Sequence, residues 1–117
     1  MTSEPPRDHY VIANVAFTQS MDPMPVIGTG HRIVGNHFYD GARGDGGAIG
    51  VNGNTSAIRI LGNLLERNGT AGDKLNHGIY LGGFGVNRDI EVGWNEVRQQ
   101  RGGRGVELFG HIDGDRM

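Results

Sequence analysis

Ile60-Leu61-Gly62-Asn63-Leu64-Leu65-Glu66-Arg67-Asn68-Gly69, followed by His77-Gly78-Ile79-Tyr80-Leu81-Gly82-Gly83, is the stretch whose reading decides the fold. An apolar residue stands three places before Asn63 and another two places after it. The same frame occurs at Val11-Ile12-Ala13-Asn14-Val15-Ala16, at Ile33-Val34-Gly35-Asn36-His37-Phe38 and at Val92-Gly93-Trp94-Asn95-Glu96-Val97, with Asn-to-Asn spacings of 22, 27 and 32 residues. A second signature, small-apolar-any-apolar, follows in the last three copies as Ala48-Ile49-Gly50-Val51, Gly78-Ile79-Tyr80-Leu81 and Gly105-Val106-Glu107-Leu108. Both signatures return in one order, and the length differences fall between them in segments rich in Gly and charge.

Each apolar-any-apolar segment reads as a short strand with alternate side chains facing a shared interior. One such repeat cannot bury its own inner face. Repeats stacked at the strand spacing of about 4.8 Å can. The reading is therefore a parallel β-solenoid over residues 9–112, with a polar extension at 1–8 and a short tail at 113–117. Its inward columns are expected to contain Ile33, Phe38, Ile49, Val51, Ile60, Leu65, Ile79, Leu81, Val92, Val97, Val106 and Leu108. The recurrent amides Asn14, Asn36, Asn63 and Asn95 are expected to form a structural ladder, each meeting turn backbone groups or the amide of the next repeat. The functional alternative is that these amides hold a ligand.

Composition narrows the function classes. Gly supplies 22 of 117 residues, nearly a fifth against roughly 7% in average proteins, without a triplet period and with only 4 Pro. That excludes collagen and disfavours long helices. With 11 basic and 13 acidic residues there is no charge excess to attract nucleic acid or an anionic membrane. No stretch approaches the roughly 20 apolar residues of a membrane span, and residues 1–10 show no signal-peptide core. Absence of Cys removes disulfides, thiol nucleophiles and thiolate metal sites, and leaves the compartment open.

The phrases at 60–69 and 77–83 resemble right-handed parallel β-helix repeats, as found in pectate lyases, polygalacturonases, alginate epimerases, chondroitinase-type lyases and phage tailspikes. The resemblance spans about residues 9–112 and implies an all-β, right-handed, single-stranded parallel β-helix of about four coils. It further implies a carbohydrate-associated module, part of a polysaccharide lyase, hydrolase or epimerase acting on acidic polysaccharide, in an extracellular or cell-surface setting. The alternative is a non-catalytic structural or assembly module. Its partners would then be further coils or other copies meeting its exposed ends, where the first reading takes a polysaccharide or oligosaccharide.

Outward residues stack in rows in such an arrangement. One row is Arg32, Arg59 and Glu91; another is Gly50, Tyr80 and Glu107, with Gly47, His77 and Arg104 at the turn before it. Tyr80, Arg104 and Glu107 are candidate substrate-binding residues: an aromatic face for a sugar, a guanidinium for a uronate carboxylate and a carboxylate for hydroxyls. His77, Arg104 and Glu107 are the catalytic candidates for proton transfer or charge neutralisation. Hydrolysis needs two carboxylates at a set gap, and no Asp or Glu pair stacks in any row. Glu66 instead falls beside Arg98 and Tyr39.

The remaining motifs are weak. His9, His31, His37, His77 and His111 lack metal spacing, and Asp40, Asp45 and Asp73 offer Ca²⁺ only scattered loop carboxylates. No cofactor is expected. Gly44-Asp45-Gly46-Gly47 and Gly82-Gly83-Phe84-Gly85 read as turns rather than phosphate loops, and Arg101-Gly102-Gly103-Arg104-Gly105 is too short an Arg-Gly run for an RNA tract. Asn54-Thr55-Ser56 and Asn68-Gly69-Thr70 match glycosylation acceptors.

Overall fold

Period-two apolar patterning and the many glycines produce strands and turns throughout. The computed structural model describes residues 8–83 and 85–109; the expected extension at 1–8, the end of the repeat region and the tail at 113–117 lie wholly or mostly outside them. Among the described residues eleven strands occur in chain order: β1 (Val11–Ala13), β2 (Ala16–Thr18), β3 (Met24–Thr29), β4 (Arg32–Val34), β5 (His37–Tyr39), β6 (Gly46–Leu61), β7 (Leu64–Glu66), β8 (Asn76–Gly82), β9 (Asn87–Gly93), β10 (Glu96–Arg98) and β11 (Val106–Phe109). No helix occurs among the described residues.

The topology corrects the expected single-stranded parallel β-helix of about four coils. The strands form two separate parallel sheets, one of seven strands and one of four, and neither closes on itself. The four-stranded sheet runs β10-β7-β5-β2. In the larger sheet, β6 is one strand of 16 residues. It pairs with β3 and β4 along one edge and with β8 and β9 along the other. The expected break between the Ile49–Val51 segment and the Ile58–Ile60 segment is not made. Gly53 at φ +100° and Ala57 at φ +55° bend the chain while it stays in strand pairing, which merges two ladders into one sheet.

Inside this arrangement the inward residues do stack. Ile33, Ile49, Val51, Ile58, Ile60, Leu65 and Ile79 are all 1% exposed or less, joined by Phe38, Leu81 and Val26. Phe17 lies on Phe38 with ring centroids 4.7 Å apart and planes 10° from parallel. Val92 and Val97 only pack against this core, and Val106 and Leu108 are exposed at 43% and 62%, contrary to the expected burial of the last repeat. β11 pairs on one side with β8, so its inward side chains meet a neighbouring layer on that side alone.

Three of the four ladder amides meet. The backbone N–H of Asn36 donates to Asn63 Oδ1 (2.9 Å), and that of Asn63 to Asn95 Oδ1 (2.9 Å). The side-chain Nδ2 groups repeat the pattern at 3.1 and 2.9 Å, and Asn63 Nδ2 also donates to Ile33 O (2.9 Å). Asn14 does not join. Strand register pairs Ile12 with Ile33, so Val15 rather than Asn14 lies opposite Asn36, and Asn36 Oδ1 accepts from Val15 N–H at 3.0 Å. Asn14 takes the left-handed corner, φ +58°, which Gly35 and Gly62 occupy in the next two repeats at +66° and +65°. Asn is one of the few residues with a side chain that tolerates this region. The first repeat spacing is therefore 21 residues, not 22.

Ile79→Ala is expected to lower stability by about 2–5 kcal/mol, measured by denaturant unfolding, whereas Leu108→Ala stays close to wild type. Asn63→Ala strands the N–H of Asn36 and the carbonyl of Ile33, at about 1–3 kcal/mol for each buried group left unpaired. Asn14→Gly in the same assay is neutral or stabilising.

Candidate functional site

The parallel register of β6, β8 and β11 lines up one outward row. Gly50 pairs with Tyr80, and Tyr80 with Glu107. His77 sits opposite Gly47, and Gly78 N–H donates to Arg104 O (2.9 Å), which brings Arg104 level with His77. All four expected residues therefore meet. They line an open groove of about 490 Å³ together with Lys74, Leu75, Gly103 and Phe109. A second groove of about 420 Å³, bordered by Pro23, Pro25, Ile27, Asp45, Gly50 and Asn52, shares Leu75, His77 and Tyr80 with the first. The two form one shallow trough across four strands, β3, β6, β8 and β11.

Local geometry fixes what each group can do. His77 is 5% exposed, with its ring stacked on Tyr80 at a centroid distance of 5.7 Å and 18° between planes. Its Nδ1 accepts the backbone N–H of Arg104 at 3.0 Å. In the neutral ring the proton then resides on Nε2, so the ring offers a donor and its lone pair is already used. Gly103 makes this contact reachable: at φ +59°, a Cβ there would stand 2.7 Å from His77 Nδ1 and 2.5 Å from Asn76 O. Arg104 Nη1 pairs with Glu107 Oε2 at 2.6 Å, three residues on. That pair ties up both the guanidinium expected to meet a uronate and the carboxylate expected to move a proton. Lys74, which the sequence reading did not single out, supplies an exposed ammonium at the same groove. Leu75 and Phe109, exposed at 57% and 48%, extend its apolar floor. They escape a motif search because loop 67–75 and the end of β11 meet only in three dimensions.

The other polar clusters are committed to structure. On the four-stranded sheet His37 Nε2 lies 2.8 Å from Glu66 Oε1, and Arg67 spans Glu66 (3.1 Å) and Asp40 (2.9 Å). Arg101 adds a contact to Asp40 at 3.3 Å. Arg59 joins Asp89 (3.1 Å) and Glu91 (3.2 Å), so the outward row of Arg32, Arg59 and Glu91 includes a cross-strand ion pair. Asn68, read as a glycosylation acceptor, is 1% exposed, with Oδ1 taken by Gly41 N–H and Nδ2 by Phe38 O. A glycan on it is incompatible with this fold. Of the loop carboxylates weighed for Ca²⁺, Asp40 is held by arginines and Asp73 Oδ1 accepts Leu75 N–H. Among the described residues no three His, Asp or Glu side chains are arranged to hold a metal ion.

The hydrogen bond from Arg67 holds the Asp40 carboxyl below its ordinary value of 3.8, reinforced by the charges of Arg67, Arg101 and Arg43 and opposed by partial desolvation. A depressed carboxyl stabilises the fold fully above its unfolded-state pKa and loses that contribution as pH falls through the folded value. Asp40→Asn is therefore expected to flatten the fall in melting temperature below about pH 4 while leaving the neutral-pH slope unchanged, in a thermal-melt series across acid pH. No protein-family model, curated protein or solved structure matches this chain, so its site stands on its own geometry.

Proposed function

We propose that this protein binds an extended glycan along the trough across β3, β6, β8 and β11. One observation carries the reading. Tyr80, stacked on His77, forms an aromatic patch at the junction of two continuous open grooves, flanked by Leu75, Phe109, Lys74 and the Arg104–Glu107 pair. An apolar floor with a few convergent polar groups is the usual character of a ligand site, and an open trough suits a polymer better than an enclosed small molecule. Tyr80 offers a face to a sugar ring, His77 Nε2 a donor to hydroxyls, and Lys74 a charge for an acidic substituent.

Binding rather than turnover is the reading the residues favour. Proton abstraction next to a uronate requires a free base, and His77 Nδ1 is occupied by Arg104 N–H while Glu107 is paired. Hydrolysis requires two carboxylates flanking the bond, and the register sets Glu107 opposite Tyr80 rather than opposite a second acid.

Calorimetric titration of the full chain with oligogalacturonate and with neutral hexasaccharides is expected to show weak association, about millimolar, since an open sheet face immobilises a ligand with few contacts. Tyr80→Ala weakens it about tenfold, roughly 1.4 kcal/mol. Gly50→Leu, whose Cβ would stand 3.6 Å from Pro23 Cβ at the wall of the trough, fills it and blocks binding. Lys74→Ala reduces the preference for the anionic oligomer. Equal binding by wild type and variants, or none to any glycan, would leave the structural-module reading in its place.

A further inference from the structure

The corner between the large and small sheets carries the same backbone conformation in all four repeats. Asn14, Gly35, Gly62 and Trp94 occupy it at φ +58°, +66°, +65° and +57°. The register aligns them: Ala13 pairs with Val34, Val34 with Leu61, and Leu61 with Gly93, so the next residue of each strand shares the corner. For a bulky L-residue this region is an outlier. Strain of this kind persists where it is compensated by packing or retained for function. Packing does not compensate Trp94, which is 92% exposed, the highest exposure among the large apolar side chains described.

The surroundings describe a step. A Cβ built at Gly62 has nothing within 4 Å, and one at Gly35 would meet only Asn14 Oδ1 at 3.2 Å. Beside Trp94, therefore, the corner column is bare backbone, flanked by the partly buried Leu61 and Leu64. Glu96 and Arg98, paired to each other, stand on β10 just beyond. Arg59 on the adjoining sheet is likewise committed to Asp89 and Glu91. Both guanidiniums closest in register to Trp94 are thus neutralised, which disfavours phosphate or carboxylate ligands.

We propose that Trp94 is a stacking platform for a neutral sugar ring, which lies against the indole and over the bare backbone at Gly62, with its hydroxyls reaching the Glu96–Arg98 pair. None of these residues lines the Tyr80 trough. The site is independent of the proposed trough ligand and stands or falls separately.

Trp94 is the only Trp of the 117 residues, so emission excited selectively at the indole, beyond the absorbance of the three tyrosines, reads this site alone. Titration of the full chain with cellohexaose, xylohexaose, mannohexaose and laminarihexaose is expected to give a saturable quench or blue shift with at least one of them. Tyr80→Ala leaves that response intact. In the Tyr80→Ala background Trp94→Gly abolishes the calorimetric binding of the same hexasaccharide that remains, and by itself it raises the melting temperature, because Gly is the residue this corner favours; Trp94→Phe keeps part of the binding. Emission unchanged by all four sugars overturns the proposal. So does a Trp94→Gly variant that melts lower than wild type, which would make the indole a packing element. An emission shift that follows protein concentration and sedimentation rather than sugar would overturn it too, by showing that the indole meets another copy.

Discussion

The hydrogen bonds from Asn36 to Asn63, buried, and from Asn63 to Asn95, partly buried, are the constraint on which the other features depend. At each corner the chain turns between two inward apolar residues, and the turn leaves backbone N–H groups away from water. An unpaired buried N–H costs about 1–3 kcal/mol, so each corner must supply an acceptor to the one before it. The Asn side chain does so with one oxygen that accepts two bonds, while its nitrogen satisfies a carbonyl of the preceding layer. Register is thereby fixed to the residue. In a strand a slip of one residue would send every inward side chain to solvent.

Fixed register has a second consequence on the outside. Residues far apart in sequence are brought level, and the loops are free to differ in length without disturbing the rows. Tyr80 and Glu107 are neighbours because Ile79 and Val106 are paired. Buried amides outside the repeated Asn, such as Asn68, Asn76 and Asn87, pin the longer loops to the same frame, each with its side chain in a hydrogen bond. The face that carries Tyr80 and Glu107 consequently keeps one register beneath loops of different length.

The ion pairs that decorate the sheets are mostly exposed and contribute little individually. Their chief effect here is chemical commitment. Arg59, Arg67, Arg98, Arg101 and Arg104 each have a carboxylate partner, so five of the eight arginines among the described residues are committed to acids. Lys74 matters at the trough for this reason, although nothing in its local sequence marks it.

By itself the sequence determined the repeat, the strand periodicity, most of the buried apolar set and the outward row that unites His77, Tyr80, Arg104 and Glu107. These follow from local alternation and from spacing, which a linear chain displays directly. Only the tertiary structure decided that β6 runs unbroken through two ladders, so that two open parallel sheets replace the expected closed β-helix. A glycine at positive φ can end a strand or merely bend it, and the choice rests on whether neighbouring strands keep the backbone paired on both edges. Register likewise replaced Asn14 with Val15 at the ladder position, because pairing of Ile12 with Ile33 outweighs a motif match displaced by one residue. The exposure of Val106 and Leu108 and the neutralisation of Arg104 by Glu107 belong to the same class. Burial and charge pairing depend on what lies across the next layer or three residues along a fixed backbone, and no pattern in one dimension contains that.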